Sequence, residues 1–185
     1  MKGYEVISKL QDHIDENNLI VSSNGNISRE VFHFLPKPQV YLRGSMGLTV
    51  GLGLGLAVMN PDKRVTVITG DGSLLMGFGS VITAAYYKPH NLKILILDNS
   101  QYFTTGGQQT VSSAINYYKF LESLNIDYFQ SLIATKNNLK KNLEKFCNTK
   151  GLNILHLIIE EGKKELANIS WHPTKITENF QNRFV

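Results

Sequence analysis

Gly70-Asp71-Gly72-Ser73 and Asp98-Asn99-Ser100-Gln101-Tyr102 carry residue types suited to one task, holding a divalent cation against a phosphate chain. Magnesium takes oxygen ligands in near-octahedral geometry and shares them among one or two protein groups, phosphates and water. The Asp71 carboxylate, the Asn99 amide oxygen and the backbone carbonyl of Gln101 make three such oxygens and leave room for a diphosphate. Gly70 and Gly72 permit a sharp turn and a close backbone approach, while the amides opening the next helix, with the Ser73 hydroxyl, can receive an anion. Gly-Asp-Gly by itself more often marks an ordinary turn. The separation 99 − 71 = 28, with an apolar strand ending just before Asn99, is a far more demanding coincidence.

Two runs deliver these residues. Arg64-Val65-Thr66-Val67-Ile68-Thr69 has the β-branched density of a buried strand, and Leu92-Lys93-Ile94-Leu95-Ile96-Leu97 the apolar content of a second. Both end at the candidate ligands, where open parallel sheets collect their ligands, and Ser73 to Lys88 supplies the crossover helix. Around this pair the pattern predicts a helix from Tyr4 to Asn17, a strand from Leu19 to Ser22 and a helix from Ser28 to Phe34 capped by Ser28. A proline-bearing turn leads to a strand at Val40 to Leu42 and a helix from Met46 to Met59. A polar loop covers Thr104 to Thr110, followed by a helix from Ser113 to Leu124, a strand from Tyr128 to Ile133, a helix from Lys136 to Lys150 and a strand from Leu152 to Ile159. Strands separated by helices predict an α/β fold, a doubly wound, mostly parallel sheet with helices on both faces. Gly51, Gly53 and Gly55 lack the full dinucleotide fingerprint and follow no convincing strand, so close packing of a helix on the sheet accounts for them.

The length of 185 residues suits a single domain over 1–185. A formal charge of +4 is modest and its lysines are scattered; Lys136, Lys140, Lys141 and Lys145 mark a solvated helix face rather than a nucleic-acid surface. The single Cys147 leaves no intrachain disulfide and suits a reducing, cytoplasmic setting. No signal-peptide pattern or membrane-length apolar run is present. No metal-ligand spacing joins His13, His33, His90 and His156.

On the Gly-Asp-Gly and Asn motifs the chain resembles the thiamine-diphosphate-dependent enzymes, whose diphosphate-binding domain carries both at this spacing. The resemblance implies thiamine diphosphate and magnesium as cofactors, with Asp71, Asn99 and Gln101 as metal ligands and Gly70, Gly72, Ser73 and Tyr102 beside the diphosphate. Asp98 stands where the family commonly has a second, non-ligating asparagine. Tyr41-Leu42-Arg43-Gly44-Ser45-Met46-Gly47-Leu48 resembles the turn that faces the aminopyrimidine ring. There Met46 falls where a bulky apolar residue enforces the bent cofactor, and Gly44 would offer its carbonyl to the ring's amino group; a gap-filling core methionine is the other account of Met46.

Three further stretches are similar to the phosphonopyruvate and sulfopyruvate decarboxylases within that superfamily. They are Ser23-Asn24-Gly25-Asn26-Ile27-Ser28-Arg29-Glu30, Thr105-Gly106-Gly107-Gln108-Gln109-Thr110, and His172-Pro173-Thr174 with the closing Arg183-Phe184. Asn26, Gln109 and His172 depart from the family's lysine, proline and arginine, and the Gly-Gly-Gln loop favours the phosphonate branch. The implied reaction is decarboxylation of a 2-oxo acid, 3-phosphonopyruvate to phosphonoacetaldehyde first, or sulfopyruvate. Arg43, with the donors of Thr104, Thr105 and Gln108, is the chain's offering to such a substrate's distal anion; an ordinary ion pair accounts for Arg43 equally well. Thr105 stands where pyruvate decarboxylases place an acid, so that role is not carried over. The glutamate that protonates the pyrimidine belongs to the domain this chain lacks, which implies a pyrimidine-binding partner subunit in a hetero-oligomer, or else a fragment. An acetolactate-synthase-like ligase and a non-catalytic scaffold of the same fold stay open, the latter disfavoured by the intact Asp71 and Asn99.

Overall fold

The computed structural model describes residues 1–35, 39–162 and 164–182. In chain order its elements are α1 (Gly3–Leu10), β1 (Asn18–Ser22), α2 (Asn26–Phe34), β2 (Val40–Tyr41), α3 (Thr49–Met59), β3 (Arg64–Gly70), α4 (Asp71–Met76), α5 (Gly79–Tyr87) and β4 (Leu92–Asp98). There follow β5 (Gln101–Tyr102), β6 (Gln108–Gln109), α6 (Tyr117–Ser123), β7 (Tyr128–Ile133), α7 (Leu139–Asn148), β8 (Asn153–Ile158) and α8 (Pro173–Gln181). Six strands form one parallel sheet in the order β2-β1-β3-β4-β8-β7, and β5 and β6 pair antiparallel as a small separate ribbon. The expected parallel α/β sheet is therefore present.

Strand alternation divides the core. On one face Leu95 and Leu97 of β4 pack with Val6, Ile7 and Leu10 of α1, Val31 of α2 and Leu143 and Phe146 of α7. On the other, Leu92, Ile94 and Ile96 pack with Val50 and Leu54 of α3, Val81 and Ala84 of α5 and Leu121 of α6. All seven residues of β4 are buried, as a central parallel strand covered on both sides requires. Lys93 fits because its ammonium donates to the carbonyls of Thr149 and Gly151, where α7 has just ended. Gly53 of α3 carries the close packing expected of the glycine run: a Cβ there would lie 2.1 Å from Cγ2 of Val67, whereas one on Gly55 would meet nothing within 4 Å.

Helix ends differ from the sequence expectation. The first helix stops at Leu10 and tightens into a 3-10 turn, Gln11–His13, instead of running to Asn17. Ser28 is not the cap of α2; Gly25 holds that position at φ 80, and the Ser28 hydroxyl donates to the Gly25 carbonyl at 3.1 Å. The third helix starts at Thr49 rather than Met46, because Ser45 (φ 57) and Gly47 (φ 92) form a left-handed turn ahead of it. The crossover expected as one helix from Ser73 to Lys88 is two, broken at Gly77-Phe78 where α4 gives way to α5. The helix expected from Ser113 begins as a 3-10 turn and becomes α6 only after Asn116, whose side chain accepts from the Lys119 amide at 3.1 Å. The proline-bearing turn at Pro36 and Pro38, and the closing Arg183-Phe184, lie outside the described residues.

Leu48, Leu52, Gly55 and Met59 recur along one exposed stripe of α3, Met59 being 78 % exposed. Ile82, Tyr86 and Tyr87 of the neighbouring α5 are also exposed. Among the described residues no helix is long and apolar enough to cross a membrane.

Candidate functional site

The chain passes from β1 to one neighbour, β2, and then to the other, β3, so the sheet's order reverses beside β1, which is where such sheets open a crevice beyond their strand ends. A cavity of about 170 Å³ lies there. Gly70 of β3 pairs with Leu97 of β4, so the next residues along, Asp71 opening α4 and Asp98 closing β4, come side by side at the strand ends with Asn99 following. Met46, Gly70, Asp71, Gly72, Ser73, Asn99, Gln101 and Tyr102 all line this cavity, together with Thr104 and Thr105. Gly44 and Ser45 do not; they sit on the exposed turn before Met46. Arg43 is exposed beyond them and donates to the Trp171 carbonyl at 3.1 Å. Gln108 is engaged with Thr105, its amide donating to the Thr105 carbonyl and its oxygen accepting from the Thr105 hydroxyl, both at 3.1 Å.

Local geometry fixes the central groups. The Asn99 side-chain oxygen accepts from the Gln101 amide at 3.1 Å, which closes the turn after β4. Ser73 Oγ accepts from the Gly47 amide at 3.1 Å and so joins the 44–48 turn to the start of α4. Gly72 lies between Tyr102 and Met46, where a Cβ would stand 2.4 Å from the tyrosine ring and 3.2 Å from the methionine methyl.

Asp71 is only 2 % exposed. Burial pushes its carboxyl up to about 6; the hydroxyl of Thr110, donating at 2.5 Å, and the backbone amide of Asn99 pull the other way, and the charge of Asp98 adds to the rise. Asp98 differs. Burial would raise it, but His156 Nε2 at 3.0 Å, the Ser112 hydroxyl and the Ser100 amide at 2.8 Å together hold it below the usual carboxylate range. His156 in turn meets the Ser131 hydroxyl through Nδ1 at 2.7 Å and stacks on Tyr117 with ring centroids 4.0 Å apart. Asp98 is therefore held ionised by its three donors, whereas Asp71 is a buried acid met by the Thr110 hydroxyl and the Asn99 amide. Among the described residues no three His, Cys, Asp or Glu side chains converge to hold a metal, so a cation here would rely on Asp71, neutral oxygens such as those of Asn99 and Gln101, and its ligand's own oxygens.

Sequence reasoning missed the Asp98–His156 pair and Glu30. A histidine within the apolar run of β8 was the signal for the first. Glu30 lines the same cavity, is 5 % exposed, and has no hydrogen bond or ion pair among the described residues; burial pushes its carboxyl from an ordinary 4.5 to about 7. Its signal was an acid one turn beyond Asn26, which also lines the cavity.

Residues 23–157 match the family described as thiamine pyrophosphate enzyme, C-terminal TPP binding domain. The chain belongs to this family. Within it, the sulfopyruvate decarboxylase subunit beta of Methanothermobacter thermautotrophicus is 34 % identical over 166 residues, covering 89 % of this chain and 86 % of that one. The subunit of the same name from Methanocaldococcus jannaschii is 42 % identical over 110 residues, 59 % of this chain and 58 % of its own length. The phosphonopyruvate decarboxylase of Streptomyces viridochromogenes is 30 % identical over 177 residues, but the match spans 95 % of this chain and only 44 % of that protein. A structure described as a thiamin diphosphate-dependent enzyme from Mycobacterium smegmatis superposes with a TM-score of 0.72 at 18 % identity, over 87 % of this chain and 32 % of that one, which shows the shared fold. The thiamine pyrophosphate family span encloses Asp71, Asn99, Gln101 and His156.

Proposed function

We propose that the chain is the diphosphate-binding subunit of a thiamine-diphosphate- and magnesium-dependent decarboxylase acting on a 2-oxo acid with a distal sulfonate or phosphonate. The relatives that match over most of their own length bear the name sulfopyruvate decarboxylase subunit beta, which puts sulfopyruvate ahead of 3-phosphonopyruvate. The observation that carries the reading is the buried Asp71 set beside Asn99 at the ends of two adjacent strands. Asp71 and Asn99, with the Gln101 carbonyl, would hold magnesium. Gly70, Gly72 and Ser73 would face the diphosphate, and Tyr102 would close over Gly72. Gly44, Ser45 and Met46 form the turn that would face the aminopyrimidine, Met46 supporting the bent form and Gly44 lending its carbonyl. Bound thiamine diphosphate supplies a carbon nucleophile and an electron sink. This chain's residues would position it and hold the magnesium that offsets its charge; Thr104 and Thr105 border the space left for the 2-oxo acid.

A pyrimidine-binding subunit would complete the site. The name subunit beta supports such a partner, and the exposed apolar stripe of α3 with Ile82 and Tyr86 of α5 offers it a surface. The reading places this hetero-oligomer in the cytoplasm, consistent with the buried free Cys147.

Calorimetry with thiamine diphosphate and magnesium, on the chain reconstituted with its partner, tests the assignment. Asp71→Ala is expected to abolish magnesium-dependent binding with the circular dichroism spectrum unchanged; undiminished affinity would overturn the clamp.

A further inference from the structure

Beside the main cavity, and sharing Asn24 and Thr104 with it, lies a second hollow of about 260 Å³ into which Arg29, Arg43, Ser28 and Asn168 also project. Arg29 sits in the first turns of α2 and has no hydrogen bond or ion pair among the described residues. Among the described residues, Arg43 spends one of its five donors, on the Trp171 carbonyl. Among the described residues no carboxylate lines the hollow. Glu165 borders a separate depression on the other side of Arg29 and makes no ion pair with it. Two guanidinium groups bordering one small space without an acid repel each other, and the arrangement becomes favourable only when an anion is shared between them. The N-terminal end of the nine-residue α2, begun by Gly25, opens on the same hollow and adds its partial positive charge. Asn24, Thr104 and Asn168 contribute neutral donors. This donor set matches a tetrahedral oxyanion, whose several oxygens can accept from two guanidinium forks at once.

We propose that this hollow is the subsite for the substrate's distal oxyanion, with Arg29 and Arg43 clamping the sulfonate or phosphonate while the 2-oxo acid reaches past Asn24 and Thr104 into the main cavity. The inference rests on the decarboxylase reading and deepens it, because it assigns specificity to Arg29, Asn24 and Asn168, none of which the motifs had singled out for that role. It also separates Thr104, on the shared wall, from Gln108, whose side chain is committed to Thr105.

The test uses the complex of this chain with its partner subunit, loaded with thiamine diphosphate and magnesium. Steady-state kinetics compare sulfopyruvate, 3-phosphonopyruvate and pyruvate for wild type, Arg29→Gln, Arg29→Lys and Arg43→Gln. The ratio of kcat/KM for the preferred anionic substrate to that for pyruvate is expected to fall about tenfold to a hundredfold in each Gln variant, through KM rather than kcat, with Arg29→Lys recovering part of the loss. The sulfonate and phosphonate arms, run side by side, show which oxyanion the hollow takes. Competitive inhibition by methanesulfonate or methylphosphonate, present in wild type and lost in Arg29→Gln, is the second expected readout. Turnover with an unchanged ratio in both Gln variants overturns this inference alone. No turnover of any 2-oxo acid by the wild-type complex overturns the decarboxylase reading and this subsite with it.

Discussion

The two carboxylates at the strand ends share a neighbourhood and differ in state, and the difference lies in what surrounds each. Asp98 is held ionised by His156, Ser112 and Ser100, while burial, with the charge of Asp98, raises the Asp71 carboxyl to about 6. Glu30 is the extreme case, with no hydrogen-bond or ion-pair partner among the described residues and a carboxyl raised to about 7. Because its folded value exceeds its ordinary 4.5, the native state favours the protonated form. That stability is complete below about pH 4.5 and is lost as pH rises to 7, on the order of 3 kcal/mol for a shift of this size. Glu30→Gln, which cannot ionise, is expected to flatten this part of the profile and to be the more stable protein at pH 8; urea unfolding of both from pH 4 to 8 checks it, and parallel profiles would show that Glu30 is solvated or paired. Asp71 and Asn99 were readable because motif and spacing act within one crossover unit. His156 was not, since its partner Asp98 lies 58 residues away and the histidine is hidden in an apolar run.

Elements were legible wherever burial on both faces forces an uninterrupted apolar run. β3 and β4 fall within a residue of their expected limits, and α2 and α3 end where expected, whereas the end of the first helix and the starts of α2, α3, α4, α6 and α7 moved by two residues or more because caps and turns depend on local donors that periodicity does not record. Splitting of the crossover at Gly77-Phe78 lets α4 stay at the end of β3 while α5 packs on α3. The same packing gives a paired prediction. Gly53→Ala forces a methyl group into Val67 and should cost about 1–3 kcal/mol, while Gly55→Ala, in open space on the same helix, should be neutral or stabilising by up to about 1 kcal/mol. Thermal melts of the two variants decide; equal effects would place the sheet contact elsewhere.

At the scale of the whole molecule, the proposed two-subunit reading makes the site a half. Both cavities open at one end of the sheet, and the match to the phosphonopyruvate decarboxylase of Streptomyces viridochromogenes spans 95 % of this chain but only 44 % of that protein. The purified chain alone is therefore expected to show no decarboxylation, and adding the partner subunit to restore it; turnover by the lone chain in a sedimentation-verified preparation would contradict the two-subunit reading. The stripe of Leu48, Leu52, Gly55 and Met59, with Ile82 and Tyr86 nearby, has a cellular consequence. If the proposed partner covers this stripe, any molecule made in excess of it offers chaperones and proteases the kind of surface they use to recognise unfinished proteins. Supply of the two polypeptides then has to be matched, and the stripe itself becomes the means by which a surplus is detected and cleared.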